Sequence, residues 1–125
     1  MTKYKTQSFS NTFKNARKGM RLTMKSERNI RVHLAVGALA LIFAFYLGFS
    51  YVKFSILIMA ISMVISAEML NSAIEFSLDA IFHNRYSRMV GMAKDIAAGA
   101  VLLVTLNAIL VGCILFVPKL IELFG

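Results

Sequence analysis

Three stretches of the chain are apolar for long enough to cross a bilayer. The first covers residues 32–51, VHLAVGALALIFAFYLGFSY, and the third residues 96–117, IAAGAVLLVTLNAILVGCILFV. The second opens at Phe54, is cleanly apolar to Ala67, and continues to Ala80 through the mixed segment EMLNSAIEFSLDA. A spanning helix needs roughly 20 predominantly apolar residues. Each stretch reaches that length, the second only with its mixed part. Strands of a membrane barrel would be shorter and would alternate. The pattern therefore predicts an all-α membrane protein with membrane helices over residues 32–51, 54–80 and 96–117, the single proline, Pro118, ending the third.

A different periodicity precedes them. Phe9, Phe13, Ala16, Met20 and Met24 recur at helical spacing, and Lys14, Arg17, Lys18, Arg21, Lys25 and Arg28 fill the positions between. Ser8 or Ser10 is suited to cap the start. The spacing predicts an amphipathic helix over about residues 8–30, apolar face on the inner leaflet and cations toward anionic headgroups. A solvated basic tail is the blander reading and fits the spacing less well. The polar opening residues do not read as a signal peptide, and the apolar stretch that follows them is too long for a signal core.

Composition agrees. The chain has 125 residues, the size of one domain, and is 58% hydrophobic, more than a soluble domain carries. The lone cysteine, Cys113, lies inside the third span and reads as a small apolar filler. Net charge is +8, but its distribution says more: nine of the 14 Lys and Arg lie in residues 1–31 and three between the second and third spans. Lys53 and Lys119 are the other two. With a cytoplasmic N-terminus the inner side holds 9 + 3 = 12 basic residues and the outer side two. That is the bias of a protein oriented by the positive-inside rule. Basic residues so placed, without interleaved aromatics, do not describe a nucleic-acid surface.

The mixed segment carries the chemistry. At roughly 100° per residue, Glu68, Asn71, Glu75 and Asp79 fall within about 80° of arc on one helix face, over a rise of about 16 Å. The orientation above puts Asp79 near the cytosol and Glu68 deepest. A carboxylate at the bilayer centre costs on the order of 3 kcal/mol to insert. Three on one face must therefore look onto protein, water or a cation. Of six acids, five (Glu27, Glu68, Glu75, Asp79 and Asp95) lie on the inner side or in the inner half of the membrane, with Lys94 beside Asp95. Hard carboxylate oxygens, an amide and a lysine at one interface suit Mg²⁺ and a polyphosphate. The two histidines are too few for Zn²⁺; His33 reads as an interfacial helix residue and His83 as a loop residue. Soluble-kinase signatures are missing: the sequence contains no GxxxxGK[ST], HRD or DFG.

The run AEMLNSAIEFSLD resembles the signature of the prokaryotic diacylglycerol kinase family. AKDIAAGAV is similar to that family's second motif, and SERN, ahead of the first span, to a third. The likeness covers nearly the whole chain in the same order. It implies a small membrane kinase that moves the γ-phosphoryl of MgATP to a lipid hydroxyl at the inner membrane face. It also implies a homotrimer whose sites are shared between protomers. Carried over residue by residue, Glu68 resembles the general base, Glu27 and Glu75 the Mg²⁺ carboxylates that bridge to ATP, and Asn71 a supporting residue of the site. Asp79 completes the polar face. Lys94 and Asp95 resemble nucleotide contacts. Arg85, Tyr86 and Ser87 fall where the family's loop meets ATP, and Asn15 falls near the nucleotide. SERN, the histidine four residues after Asn29, the VPKL ending and the lack of Trp resemble the undecaprenol kinase branch rather than the diacylglycerol kinase branch.

Two rival readings exist. Intramembrane acids also mark ion paths, so a small proton- or cation-coupled transporter is one. It requires acids along the whole span, whereas the outer half of each span here is apolar. The other is a carboxylate–lysine network that only orders the helices, which would need fewer acids.

Overall fold

The computed structural model describes residues 8–85 and 87–125. They form four α-helices and short connections: α1 (Phe9–Ser26), α2 (Arg28–Tyr46), α3 (Tyr51–Phe82) and α4 (Arg88–Phe124). The last three are long and apolar enough to cross a membrane.

Each boundary has a local cause. Ser8 caps α1, its side chain accepting from the Asn11 backbone N–H. The first helical run ends sooner than the predicted residue 30, because Glu27 adopts an extended conformation (φ −117°, ψ 109°) and separates α1 from α2. The Arg31 guanidinium folds back across this break and donates to the carbonyls of Met24 (2.8 Å) and Lys25 (3.0 Å). Those are orphan acceptors of the last turn of α1, so the break is tied down. α2 stops at Tyr46 rather than Tyr51. Gly48 takes φ +75°, Gly48 N–H bonds Phe45 O, and Phe49 N–H bonds Ala44 O. That is a Schellman ending, which needs a left-handed residue and here uses glycine. Ser50 then caps α3, accepting from Lys53 N–H.

Three further expectations are corrected in α3 and α4. α3 continues to Phe82 and closes through left-handed His83 and Asn84, whose N–H groups both bond Asp79 O. The third membrane helix begins at Arg88, eight residues before the predicted 96, because Ser87 accepts from Val90 N–H at 3.1 Å and starts it there. Lys94 and Asp95 accordingly lie in the second turn of α4, not in a loop. Pro118 does not end that helix, which runs through it to Phe124. A proline removes one N–H and strains one turn. Membrane helices absorb this, and the apolar residues beyond it keep the helical pattern going.

Short connections fold α2, α3 and α4 back and forth as antiparallel neighbours. α3 packs most extensively on α4 and next on α2, while α1 reaches α2. At the end distant from α1, Ala44, Phe49, Leu57 and Leu115 form a buried cluster, and the Phe49 and Phe116 rings lie 4.9 Å apart. Where α2 crosses α3 nearer its start the helices nearly touch: a Cβ on Gly37 would meet Ile61 Cγ2 at 2.8 Å. Ile30, Gly37 and Ala44 are the buried residues of α2, seven apart, and together they form its seam against α3. Much of the remaining apolar surface, including Leu39, Phe45, Leu103, Leu106 and Ile109, is exposed, as the hydrocarbon-facing side of a membrane helix is.

Candidate active site at the Asp79 end of the bundle

The antiparallel arrangement brings the start of α2, the second half of α3 and the start of α4 to one end. That end holds Glu27, the whole polar face of α3, Lys94 and Asp95. α2 is the shortest of the three, so α3 and α4 extend past it. His33 meets Glu68 across the α2–α3 seam, and Arg28 lies five residues, about 8 Å, nearer the end of the bundle. Glu68 is therefore enclosed alongside α2. Glu75 lies about 10 Å further along α3, and Asp79 further still, beyond the start of α2.

Burial follows this order. Glu68 is 9% exposed, whereas Asn71, Glu75 and Asp79 are half-buried. Ser72 is buried one turn from Glu68. Asn71 Nδ2 donates to Glu75 Oε1 at 3.3 Å, an i, i+4 pair that leaves Asn71 Oδ1 buried without a hydrogen-bond partner. Glu68 Oε1 lies 3.3 Å from His33 Nδ1, though off the hydrogen-bond direction, so Nδ1 is also buried and unsatisfied. Lys94 Nζ donates to Asp79 Oδ1 at 2.7 Å, joining α4 to α3. Both side chains of that pair are more than a third exposed (36% and 37%), so the pair adds under about 1 kcal/mol of stability. Its value lies in placing an ammonium at the end of the carboxylate row.

The structure does not gather every predicted residue. Glu27 is half-buried at the α1–α2 break, and its carboxylate makes no capping bond to α2. Asp95 is exposed, turned away from the α3 face that its neighbour Lys94 meets. Among the described residues no hydrogen bond or ion pair links either acid to the α3 carboxylates. Arg85 is exposed in the α3–α4 connection, Ser87 uses its hydroxyl to cap α4, and Asn15 is exposed midway along α1. Tyr86 lies outside the described residues. His33 is the residue that sequence reasoning passed over. A histidine six residues past Glu27 gave no sign of facing Glu68, because the pairing of helices cannot be read from spacing.

Among the described residues no three His, Cys, Asp or Glu side chains converge as a metal cage. Mg²⁺ is held by one or two carboxylates with phosphate oxygens completing its shell, and the half-buried Glu75 and the unpartnered Asn71 Oδ1 are hard oxygen donors of this kind.

Beside His33 a cleft of about 320 Å³ runs between α2 and α4 to Phe116, lined by Gly37, Ala40 and Val64 among others. Apart from His33 and Thr105 its walls are apolar.

Comparison with known proteins identifies the relatives of this arrangement. The model of the prokaryotic diacylglycerol kinase family matches residues 14–116, most of the chain and all of the site. The chain belongs to that family. It is similar to the undecaprenol kinase of Bacillus subtilis, with 34% identity over 112 residues, 90% of either chain. The diacylglycerol kinase of Synechocystis is 32% identical over 112 residues, 90% of this chain and 64% of that one. The diacylglycerol kinase of Escherichia coli K12 is 34% identical over 98 residues, 78% of this chain and 80% of its own. A member of the prokaryotic diacylglycerol kinase family is a lipid kinase that uses ATP and a divalent metal, and the three apolar helices place this one in a membrane.

Proposed function

We propose that this kinase transfers the γ-phosphoryl group of MgATP to the hydroxyl of undecaprenol at the cytoplasmic face of the membrane. The polar face of α3, passing from an enclosed Glu68 to an accessible Asp79–Lys94 pair, carries the reading, because lipid and nucleotide must meet along it. The match to undecaprenol kinase favours that lipid because it takes in 90% of either chain, whereas the equally long match to the Synechocystis diacylglycerol kinase takes in 64% of that protein. Diacylglycerol is the second reading, favoured by the two diacylglycerol kinases.

Phosphoryl transfer depends on positioning and charge neutralisation more than on covalent chemistry. Glu68 takes the proton from the lipid hydroxyl as it attacks. Glu75 and Glu27 would hold Mg²⁺, which would supply charge neutralisation of the phosphate oxygens. Asn71 keeps Glu75 in place through its amide. Asp79 fixes the direction of Lys94, and Lys94, Asp95, Arg85, Tyr86, Ser87 and Asn15 contact the nucleotide. The whole chain acts as a single domain. α1, with Phe9 and Phe13 exposed, lies in the inner interface and keeps its cations at the headgroups.

One assay tests the reaction. Purified protein with γ-labelled ATP, Mg²⁺ and either lipid should label undecaprenol faster than diacylglycerol. Glu68→Gln should bind MgATP normally yet transfer phosphate roughly 10²-fold or more slowly; Glu75→Gln should lose MgATP binding. Faster labelling of diacylglycerol would replace the lipid, and a nearly active Glu68→Gln would remove the base.

Orientation follows from the basic residues: N-terminus and α3–α4 connection inside, C-terminus outside. In a Cys113→Ala background, an impermeant maleimide on intact cells should label Glu122→Cys and spare Asn84→Cys. The reverse pattern would invert the topology.

Assembly follows from the polar face. Three helices leave part of that face uncovered, and acids facing lipid are too costly. Identical chains must cover it for one another, and a closed ring of three fits the family. Glu68→Gln and Asp95→Asn proteins, each inactive alone, should regain partial activity when unfolded together, mixed and refolded. No recovery from crosslinked, confirmed trimers would place both residues in a site drawn from one chain.

A further inference from the structure

Among the described residues one ion-pair contact reaches Glu68, and it comes from another helix. His33 Nδ1 lies 3.3 Å from Glu68 Oε1, with the two side chains 30% and 11% exposed. The nearest amide does not compete for this carboxylate, since Asn71 donates to Glu75.

The contact is fixed from both sides. On α2, Ile30, His33 and Gly37 share one face, and Ile30 is 2% exposed. On α3, Ile61, Val64 and Glu68 share the facing one. Gly37 permits the close approach to Ile61, and the α2–α3 register this sets brings the imidazole four residues earlier against Glu68. A buried nitrogen without a hydrogen bond is costly. His33 Nδ1 is such an atom as placed, and Glu68 is the acceptor beside it. Rotation about the terminal torsion of histidine is soft, so a modest turn of the ring aligns Nδ1–H with the carboxylate. The proton then belongs on Nδ1, and the opposite edge of the ring faces the apolar cleft.

We propose that His33 is a positioning residue for phosphoryl transfer: its Nδ1–H holds Glu68 Oε1 and so presents the other carboxylate oxygen to the hydroxyl of the lipid acceptor. This rests on Glu68 being the base. The imidazole exchanges no proton with the substrate. It removes the rotational freedom of a carboxylate that would otherwise sample several rotamers beside an apolar cleft. A misplaced base lowers the rate of the chemical step without changing how either substrate binds.

The test is a double-mutant cycle with a conservative rescue, run on the detergent-solubilised enzyme with MgATP and undecaprenol. His33→Leu should lower kcat about 10-fold or more, with KM for both substrates within about two-fold of wild type. His33→Asn, whose amide N–H reaches the Nδ1 position, should recover most of kcat, and His33→Gln, whose amide reaches the other ring nitrogen instead, should not. In a Glu68→Gln background, His33→Leu should change the residual rate by less than about two-fold, since it acts through Glu68. If His33→Leu does not fold, the Asn and Gln variants carry the same comparison. Equal losses in both backgrounds, a change confined to KM, or equal activity of the Asn and Gln variants would overturn the proposal. An inactive Glu68→Gln enzyme beside an unimpaired His33→Leu enzyme would overturn His33 alone. A nearly active Glu68→Gln enzyme would overturn both residues' roles.

Discussion

A carboxylate in hydrocarbon costs on the order of 3 kcal/mol, and α3 carries three on one face. The rest of the architecture follows from that cost. The helices differ in length, so the face runs past the start of α2 instead of lying wholly beside it. α2, with 19 residues, covers Glu68 and stops, while α3, with 32, carries Asp79 past its start. Alongside α2, the most enclosed acid meets an imidazole. At the Asp79 end of the face α4 supplies an ammonium. In the middle Asn71 and Glu75 pair with each other and leave one amide oxygen unsatisfied, which is where a cation is most needed.

The same gradation fits the proposed reaction, in which one short helix face would serve two dissimilar substrates. A prenol chain is confined to hydrocarbon and its hydroxyl to the boundary, whereas a nucleotide cannot leave water. The proposed base lies where the first can reach and the proposed nucleotide contacts where the second can. No catalytic fold of the soluble kinases is needed, because the membrane itself orders the acceptor.

Much of this was legible in the sequence and some was not. The three spans and the polar face of α3 follow from periodicities of apolar and acidic residues, which the chain shows directly. Helix ends were less readable. Gly48 and Ser87 set them through single turns, and Glu27 breaks a run that its neighbours would continue. Pro118 reads as a stop in any soluble helix, yet here the backbone keeps helical order around it. His33 was invisible for a different reason. Its place against Glu68 depends on the α2–α3 register, which Gly37 and Ile61 determine by fit rather than by any pattern within one helix.

The account rests on where the metal–nucleotide complex sits. Paramagnetic broadening of backbone amide signals, with Mn²⁺ and a non-hydrolysable ATP analogue added to the labelled protein in detergent, locates it directly. The account predicts the strongest loss of signal around residues 71–79 and the first turns of α4. It predicts a weaker effect at Glu68 and none near Ser50 or beyond Val111. Broadening centred on the Ser50 end of the bundle, or spread evenly along α3, would contradict it.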